Sequence, residues 1–404
     1  MRHLAMALCS ISVFCANAGA QAVTRDSAAI RIVESTRPAW GTERRWRLSD
    51  TPVLTIGRED GEAAYLFSNL RGALRLSDGR IVVADGRSDQ LRFFDATGRF
   101  LASAAGTGGG PGEVTSLTLL WLLPGDTVAV NNGGDGISVY DPAGRYIRSI
   151  PIRGERLLSP LGQFATGAIL AYSGSRGFSG SDVGSVIRDS LRFHLGAPDW
   201  SSSRVITVHP SAERWGLLAG GIAEFPYLPF AADPVWAVSP ATFYVGSGRE
   251  NEIRGWNSDG RLTRIVRWST PDPRAVTEQD IARYRSHLVG STSDANQRRR
   301  YDTFLAQAPM AERVPAYRSL AVDDDGNLWV EAWRPPWDDQ PEWLIFSADG
   351  AWLGSVTMPS RFTVYHIGGD FVIGSWRDGL DVEYVRMYRL SRSARDRFDD
   401  HDLY

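Results

Sequence analysis

The sequence predicts an all-β fold, a six-bladed β-propeller, and the clearest indication is a hairpin turn that recurs along the chain. Four segments share this turn: FDATGR (94–99), YDPAGR (140–145), WNSDGR (256–261) and FSADGA (346–351). Each has an aromatic residue, turn-favouring residues and then a glycine, which supplies the positive φ that a four-residue hairpin loop ending in a bulge requires. Alternating apolar residues flank each turn, as expected for strand, turn and strand.

A second hairpin precedes each of these turns and completes the repeating unit. Tight turns before β-branched or aromatic runs occur at 76–85, 123–132, 238–247 and 322–332. Two hairpins make four strands, and a four-stranded unit repeated at this period is typical of one propeller blade. The recurring turns therefore mark four of the six predicted blades.

The other two blades lack the full turn pattern. The third blade of the chain is predicted near 162–172 and 191–208, where the turn has degenerated. The last blade is predicted from 365–376 and 383–390, which supply only three strands. Its fourth strand is expected from 44–57, because an N-terminal strand in the last blade closes the ring and leaves no open edge.

Residues 275–312 interrupt the strand pattern and predict a helical insertion between blades four and five. Thr277, with Asp280 three residues later, matches the layout of a capping box. Apolar residues then fall together on helical faces in each half of the segment: Ile281, Tyr284 and Leu288, followed by Tyr301, Phe304 and Leu305. The simplest interpretation is a surface excursion that seals the edge of a blade.

Both ends of the chain are predicted to lie outside the propeller domain. Residues 1–22 begin with basic residues, continue with an apolar run and end in small residues with A-x-A triplets, which is typical of a secretory signal peptide. Residues 23–392 are expected to form one propeller, and residues 393–404 a polar tail. We therefore expect an exported protein, periplasmic or extracellular. No later stretch is apolar and long enough to predict a membrane span.

The composition excludes several classes of chemistry. Both cysteines, Cys9 and Cys15, lie in the predicted signal peptide, so the mature domain is expected to lack disulfides, a thiolate nucleophile and a cysteine–zinc site. The chain has no lysine, which excludes a Schiff-base lysine and the phosphate-binding lysine of a P-loop. A formal net charge of −3 gives no electrostatic basis for binding nucleic acid or an anionic membrane.

In these motifs the chain resembles the six-bladed β-propellers of the NHL/TolB-like superfamily, and within it the exported bacterial propeller proteins of unknown function. The resemblance covers nearly the whole predicted mature chain. It rests on turns such as FDATGR, on GTGGGPGEV (106–114) and on VPAYRSLAVDDDGNLWV (314–330). It implies the propeller architecture and no particular activity. One departure is the third blade, which has a Gly/Ser-rich loop where the family has its usual turn.

The glycine-rich segment 106–114 is predicted to be a bridge between blades, not a phosphate-binding loop. Pro111 stands where a dinucleotide-binding loop needs its third glycine, and a strand follows instead of a helix. Glu113 ends this segment, and similar layouts place Glu62 and Glu155 before blades one and three. Two interpretations stay open. Either these carboxylates gather at one mouth of the channel and bind a cation or polar ligand, or each accepts N–H bonds from its own loop.

A cluster of tryptophans marks blade five. The segment 328–346 contains four of the 14 tryptophans of the chain. Trp329 and Trp343 are expected to pack between blades, whereas two prolines stiffen the intervening loop and leave Trp337 as the exposed one. An exposed tryptophan beside charged side chains suits stacking on a sugar or contact with a protein partner. Trp337 therefore joins the three glutamates as a candidate ligand-binding residue.

The resemblance also implies an enzymatic alternative. Propeller lactonases of the gluconolactonase and paraoxonase kind, and the amidating lyases, hold calcium or zinc in the channel with ligands scattered over several blades. Four oxygen-bearing candidates for calcium follow inner strands: Asp85, Asn131, Asn132 and Asp378. Three histidines are expected near a face of the ring and form no closely spaced pair, so a histidine-based zinc site has little support: His209, His287 and His366.

We therefore expect an exported binding scaffold for a small molecule, a glycan or a protein, without nucleic acid as a partner. No catalytic residue, metal ligand or cofactor is assigned, and calcium stays open. The alternative is a metal-dependent lactonase, another hydrolase or a lyase, with calcium or zinc in the channel. A third interpretation, by analogy of fold alone, is a component of cell-envelope assembly.

Overall fold

The computed structural model describes residues 22–40, 46–154, 157–174, 177–270 and 273–392 of the 404-residue chain. These residues form antiparallel blades arranged in a ring, so the prediction of an all-β, six-bladed β-propeller is confirmed. The first strand of each blade contacts the first strands of the blades on both sides. These six strands therefore surround the axis, and the last strand of each blade lies towards the rim.

Four blades are plain four-stranded meanders, whose strands follow one another in chain order from the axis to the rim. Blade one comprises Leu70–Arg75, Ile81–Asp85, Gln90–Phe94 and Phe100–Ala105. Blade two comprises Leu117–Leu123, Thr127–Asn132, Ile137–Tyr140 and Tyr146–Ile150. Blade three comprises Ser159–Gln163, Ile169–Gly174, Ser190–Gly196 and Ser203–Pro210. Blade five comprises Tyr317–Val322, Leu328–Ala332, Glu342–Phe346 and Trp352–Thr357.

Blade three confirms the prediction of a blade with a degenerate turn. The turn between its outer strands is closed by a hydrogen bond from the Ala197 N–H to the Ser202 carbonyl. Trp200 adopts the positive φ of 58° in this turn, where blades one, two, four and five have glycine. Its ring is buried between blades two and three, so packing stabilises a backbone conformation that the residue type disfavours.

Blade four has two strands more than the sequence predicts. Its own meander comprises Val235–Val238, Phe243–Gly246, Glu252–Trp256 and Leu262–Trp268. The sheet continues outwards with Ile30–Ser35, which runs parallel to the outer strand, and then with Ala22–Ser27. The turn between these two added strands holds Ala28 and Ala29 at positive φ, without the glycine or asparagine that usually marks such a turn. No sequence signal therefore predicts this hairpin.

Blade six confirms that the two ends of the propeller meet in one sheet. Its strands Phe362–Ile367, Phe371–Arg377 and Glu383–Ser391 are followed outwards by Leu54–Ile56, in which Ile56 lies opposite Val385. A short strand, Arg47–Leu48, pairs with the far end of the same long strand. The N-terminal segment thus closes the ring as predicted.

Side chains packed between neighbouring blades form the core. Each of the six pairs of neighbouring blades encloses its own cluster of buried apolar residues. Trp329 and Trp343 lie in the cluster between blades five and six, with 0% and 3% of their surface exposed, which confirms the prediction for these two residues. Stability therefore depends on contacts between consecutive blades around the whole ring.

The meander order gives the ring two different faces. In each blade the turns from strand one to two and from three to four lie at one end, and the loop from strand two to three lies at the other end, beside the links between blades. This second face, which we call the insertion face, carries the longest segments: 177–189, 211–234, 273–316 and 333–341. Short elements within its loops are the 3-10 helices Ala63–Tyr65, Gly133–Asp135 and Gly180–Asp182, and the strands Val186–Ile187, Arg214–Trp215, Leu217–Ala219 and Ile222–Glu224.

The helical insertion between blades four and five is confirmed as two helices, α1 (Glu278–Gly290) and α2 (Ala295–Gln307). The predicted capping box is present at Thr277 and Asp280. Helix α2 packs against α1 and against the hairpin 217–224 from the preceding link. The expectation that the insertion seals a blade edge stays a prediction.

Several predictions fall on residues that lie outside the described ranges. The signal peptide predicted at 1–22 does so apart from Ala22, and so do Glu155 and the tail predicted at 393–404. Within the described ranges, neither helix combines the length and the apolar character that crossing a membrane requires.

Candidate functional site

In the segment 106–114, which links blade one to blade two, Glu113 forms a hydrogen bond to the backbone of its own loop. Glu113 accepts a hydrogen bond from the Gly110 N–H at 2.7 Å through Oε2. The loop is closed by the bond from the Val114 N–H to the Gly106 carbonyl at 2.9 Å. A Cβ at Gly108 would lie 2.0 Å from the Glu113 carboxylate, so the glycine leaves room for the carboxylate in this position. These contacts match the interpretation in which the Glu113 carboxylate accepts N–H bonds from its own loop.

Among the residues that the structure describes, no contact joins Glu62 or Trp337 to Glu113. Glu62 is exposed and precedes the 3-10 helix Ala63–Tyr65 without a side-chain cap bond. Trp337 is half-buried instead of exposed, because its ring lies edge-on to the ring of His287 on α1, with centroids 6.4 Å apart. A ligand role for Glu62, Glu113 and Trp337 stays a prediction.

The four oxygen-bearing candidates for calcium each have a partner in the protein. Asp85 accepts from Arg92 at 2.9 Å, and Asn131 donates to the Pro160 carbonyl at 2.9 Å. Asn132 accepts from the Thr115 N–H at 2.7 Å. Asp378 accepts from the N–H groups of Leu380 and Val382 within its own turn. Across the described ranges, no three His, Cys, Asp or Glu side chains are grouped so that they could hold a metal ion, and calcium binding by these four residues stays a prediction.

Two of the histidines expected near a face of the ring, His209 and His366, make contacts within the propeller. His366 accepts the Arg75 N–H at Nδ1 and lies 3.0 Å from Asp324 at Nε2, which ties together blades one, five and six. His209 packs edge-on to Phe193, and burial lowers its pKa, so the neutral ring is favoured.

A cleft on the insertion face brings together chemistry that the sequence alone does not group. Its cavity of about 240 Å³, which we call the aromatic cleft, lies between the start of blade five and helix α1. The lining residues are Phe230, Ala231, Asp233, Tyr284, Pro315, Tyr317, Arg318, Trp333, Arg334 and Pro336. They come from the link before blade four, from α1, from the inner strand of blade five and from the loop 333–341.

Three aromatic rings form the apolar part of the aromatic cleft. The ring of Phe230 lies 5.2 Å from that of Tyr284 and 6.3 Å from that of Trp333, measured between centroids. Phe230 is buried, whereas Tyr284 and Trp333 are half-buried. The burial of Tyr284 raises the pKa of its hydroxyl, so this side chain stays neutral at physiological pH. Rings at these distances offer a surface on which a planar or apolar ligand group can pack.

Phe230 occupies its place with an unusual backbone conformation. Its φ is +60°, in the left-handed region that a bulky residue rarely adopts. Such strain persists only where the surrounding structure fixes it, and it is concentrated at functional sites. Nearby hydrogen bonds, from the Ala231 N–H to the Leu228 carbonyl and from the Ala311 N–H to the Pro229 carbonyl, hold this turn against the end of the helical insertion.

The floor of the aromatic cleft is a buried tyrosine. Tyr317 donates its hydroxyl to the Glu252 carbonyl at 2.7 Å, and burial raises its pKa. A Cβ at Gly246 would lie 1.9 Å from the Tyr317 hydroxyl oxygen. The glycine at the end of the second strand of blade four is therefore required for the floor to form.

Two arginines of the aromatic cleft share a single buried carboxylate. Glu331 Oε1 lies 3.3 Å from Arg334 Nε and 3.7 Å from Arg318 Nε. Arg334 also donates Nη1 to the Asp338 carbonyl. Arg318 stands at a bulge, where the register of the inner strand shifts between Tyr317 and Ser319. Because bulges redirect side chains, Arg318 is exposed, with 44% of its side-chain surface accessible, although it lies within a strand.

A carboxylate lies in the same cavity. Asp233 is accessible from the aromatic cleft, yet the surrounding protein removes part of its hydration, and this desolvation raises its pKa from the ordinary value. The charge of Arg214 opposes that rise. Arg214 itself donates to the Phe225 carbonyl at 2.8 Å and lies 3.8 Å above the ring of Tyr227.

A second cavity of about 400 Å³ lies on the other side of Trp333. It shares Trp333 and Pro315 with the aromatic cleft, and its further lining is Asn251, Thr270, Pro273, Arg274, Val314, Ala316 and Pro335. Trp333 therefore separates two adjoining cavities beneath the helical insertion.

Sequence patterns single out only part of this site. Tyr284 appears on the predicted apolar face of α1, and Trp333 lies in the tryptophan-rich segment. No motif marks Phe230 or Asp233, and Arg318 lies in the segment 314–330, which indicates the fold and no ligand. The pair of prolines after Trp333 adds one further signal, because it indicates a stiff loop at this position.

Comparisons with known proteins show the fold and nothing more specific. No family model matches this sequence, and no curated protein matches it. A solved member of the DUF4221 family from Bacteroides vulgatus is similar in structure, with a TM-score of 0.50 and 9% identity over 87% of this chain and 99% of that one. This likeness shows a shared propeller fold.

Two further solved structures are similar at lower scores. A candidate exported protein from Bacteroides fragilis has a TM-score of 0.47 and 12% identity over 89% of this chain and 99% of that one. A gluconolactonase from Xanthomonas campestris has a TM-score of 0.43 and 14% identity over 85% of this chain and 100% of that one.

Proposed function

We propose that this chain is an exported, non-enzymatic, ligand-binding β-propeller whose binding site is the aromatic cleft. The observation that supports the proposal most is the cavity itself, in which three aromatic rings lie beside an exposed arginine. Binding pockets combine apolar walls with a few polar groups and measure roughly 300–1,000 Å³ for drug-sized ligands. A cavity of about 240 Å³ therefore suits a small ligand.

The ring provides the rigid support that such a site needs. Tyr317 and Arg318 belong to the inner strand of blade five, and Trp333 follows the second strand of that blade directly. The remaining ring, Tyr284, is positioned by α1, whose start is fixed by its capping box. Binding residues are often carried by loops on a rigid scaffold, and this cleft has that arrangement.

The absence of catalysis is part of the proposal. The residues lining the aromatic cleft include no serine, cysteine, histidine or lysine. The described lining therefore lacks the serine–histidine, cysteine–histidine and lysine arrangements that many covalent catalysts use. Export to the periplasm or the cell exterior is also proposed, and its support is the signal-like segment 1–22.

A thermal-shift experiment with matched tryptophan variants tests the location of the site. The wild-type protein, Trp333→Leu and Trp337→Leu are melted with phenylacetate, 2-phenylethylamine, L-phenylalanine, glucose and calcium chloride. We expect at least one aromatic probe to raise the Tm of the wild type and of Trp337→Leu, but not that of Trp333→Leu, because only Trp333 lines the aromatic cleft.

Other results would contradict the proposal. If a probe still raises the Tm of Trp333→Leu but no longer raises that of Trp337→Leu, the binding site lies at Trp337 in the loop 333–341 and not in the aromatic cleft. A shift with calcium that is reversed by a chelator would favour the metal-dependent alternative. No shift with any aromatic probe would reject the aromatic cleft as a binding site.

A further inference from the structure

One side of the aromatic cleft presents a positive charge with free hydrogen-bond donors. In the described ranges, Arg318 contacts Glu331 through its Nε, at 3.7 Å. Among the described residues, its two terminal nitrogens have no hydrogen-bond partner. A guanidinium edge of this kind matches a carboxylate, which it binds through two parallel N–H···O bonds.

The cavity also holds one negative charge, Asp233, and a second arginine, Arg334, which is already engaged by Glu331 and by the Asp338 carbonyl. Within the part of the chain that the structure describes, the Asp233 carboxylate accepts no hydrogen bond. Arg214 is the cation that acts on it, but the guanidinium of Arg214 is committed to the Phe225 carbonyl and the Tyr227 ring. A carboxylate that is partly desolvated and has no close partner gains most from a ligand that brings a cation or donor.

Most of the remaining lining of the cavity is aromatic or apolar. Phe230, Tyr284 and Trp333 supply its rings, and Pro315 and Pro336 complete the lining. Aromatic faces attract both planar rings and ammonium groups. The volume of about 240 Å³ limits the occupant to a small molecule.

A ligand with only one charge satisfies this arrangement poorly. An anion that pairs with Arg318 is repelled by Asp233, and a cation that pairs with Asp233 is repelled by Arg318. Because both groups line one small cavity, the ligand meets them together. A small molecule that carries both charges pairs each of them and leaves its remaining substituent for the aromatic rings.

We infer that the aromatic cleft binds a free α-amino acid with an aromatic or large apolar side chain, a specification that rests on the proposed function. The carboxylate of the ligand pairs with the terminal nitrogens of Arg318, and its ammonium group pairs with Asp233. Its side chain packs among Phe230, Tyr284 and Trp333.

Four probes that share one ring distinguish this class of ligand. Calorimetric titration at neutral pH compares L-phenylalanine, 3-phenylpropionate, 2-phenylethylamine and 2-phenylethanol, which carry both charges, one charge of either sign, or none. We expect L-phenylalanine to bind about 10- to 100-fold more tightly than each of the others, as is typical when a hydrogen bond to a charged group is lost.

Two variants should each change a different one of these preferences, which a purely structural role of Asp233 or Arg318 would not do. In Asp233→Asn the preference for L-phenylalanine over 3-phenylpropionate should fall, because the repulsion of the lone anion is removed. In Arg318→Gln the preference for L-phenylalanine over 2-phenylethylamine should fall instead, because the repulsion of the lone cation is removed. Two exposed residues of the insertion face serve as matched controls, Asp339→Asn and Arg188→Gln, and should leave all four affinities unchanged.

The outcomes separate the two proposals. Equal binding of all four probes, abolished by Trp333→Leu, would overturn the amino-acid specificity and leave the aromatic cleft as the site. Tight binding of L-phenylalanine that neither Trp333→Leu nor Arg318→Gln weakens would overturn both. Failure of every probe to bind would also overturn both.

Discussion

At the scale of single residues, Asp323 shows how one carboxylate holds a blade end together. Its side chain is fully buried in the turn between the first two strands of blade five. It accepts hydrogen bonds from the Asn327 N–H at 2.8 Å, from the Trp329 indole at 3.0 Å and from Arg392 at 3.0 Å. Because Trp329 is fully buried, its indole N–H depends on this carboxylate and not on water.

Replacing Asp323 should therefore be far more damaging than replacing its exposed neighbour. We expect Asp323→Ala to lower the free energy of unfolding by about 3–5 kcal/mol, the usual effect of breaking a buried ion pair from one side. Asp325→Ala, which removes a carboxylate that is 60% exposed beside the same Arg392, should lower it by about 1 kcal/mol or less. Urea denaturation followed by tryptophan fluorescence measures both, and equal effects would contradict the role given to Asp323.

The same scale accounts for the glutamates predicted to bind a ligand. Glu113 is held by its own glycine loop, whereas Glu62 stays exposed without a side-chain cap bond. Carboxylates are common in turns because backbone N–H groups there need acceptors, so a Gly–Glu pattern is as typical of loop structure as of a site. The local sequence does not distinguish a glutamate that stabilises its loop from one that binds a ligand.

At the scale of elements, the helical insertion makes one wall of the aromatic cleft. Helix α1 begins at Thr277, whose hydroxyl accepts the Asp280 N–H at 3.2 Å, while Asp280 accepts the Thr277 N–H at 2.9 Å. Arg274 also donates to Asp280, which lowers the pKa of that carboxyl. Tyr284 lies two helical turns after the cap, so the position of its ring depends on an intact helix start.

Removing the cap should affect the start of this helix and not the whole ring. We expect Thr277→Ala to destabilise the first turns of α1 by about 1 kcal/mol. Hydrogen exchange should then be faster in residues 278–284 and unchanged in the blades, and probes should bind the aromatic cleft more weakly.

Ser286→Ala, a change on the exposed middle of the same helix, serves as the control and should leave both readouts unaltered. Unchanged exchange at 278–284 in Thr277→Ala would mean that packing against the hairpin 217–224, and not the cap, determines the start of α1.

At the scale of the whole molecule, the chain is closed by a strand of three residues. Leu54–Ile56 forms the outer strand of blade six, and Ile56 is 1% exposed. Its side chain belongs to the core cluster between blades six and one, opposite Val385 in the sheet. One residue therefore links the N-terminal segment, the last blade and the first blade.

Weakening this closure should destabilise the entire ring in one step. We expect Ile56→Ala to lower the free energy of unfolding by about 2–5 kcal/mol, the range for large-to-small core substitutions. Val53→Ala, at a neighbouring position that is 51% exposed, should change it by about 0.5 kcal/mol or less. Far-UV circular dichroism and tryptophan fluorescence should report coincident urea transitions. Separate transitions in Ile56→Ala would show that the blades unfold independently of the closure.

Part of this molecule could be predicted because its signals are local in the sequence. The turns at 94–99 and 140–145 encode their hairpins in contiguous residues, since Asp95 and Asp141 accept N–H bonds from residues two and four positions later. The cap at Thr277 is encoded in the same way. By contrast, the hairpin formed by the first two strands has alanines in its turn and no such local signal.

Sequence patterns alone are enough to predict the number of blades, the turns between their strands, the ring closure and the place of the helical insertion. The position of the aromatic cleft, which we propose as a binding site, comes from the tertiary structure. Phe230, Tyr284, Arg318 and Trp333 belong to four separate segments, none of which indicates a shared cavity, and they meet because the ring brings the links of blades four and five beneath one helix. Turn hydrogen bonds join residues a few positions apart and therefore leave a sequence pattern. A cavity depends on how distant segments pack, and no pattern of neighbouring residues records it.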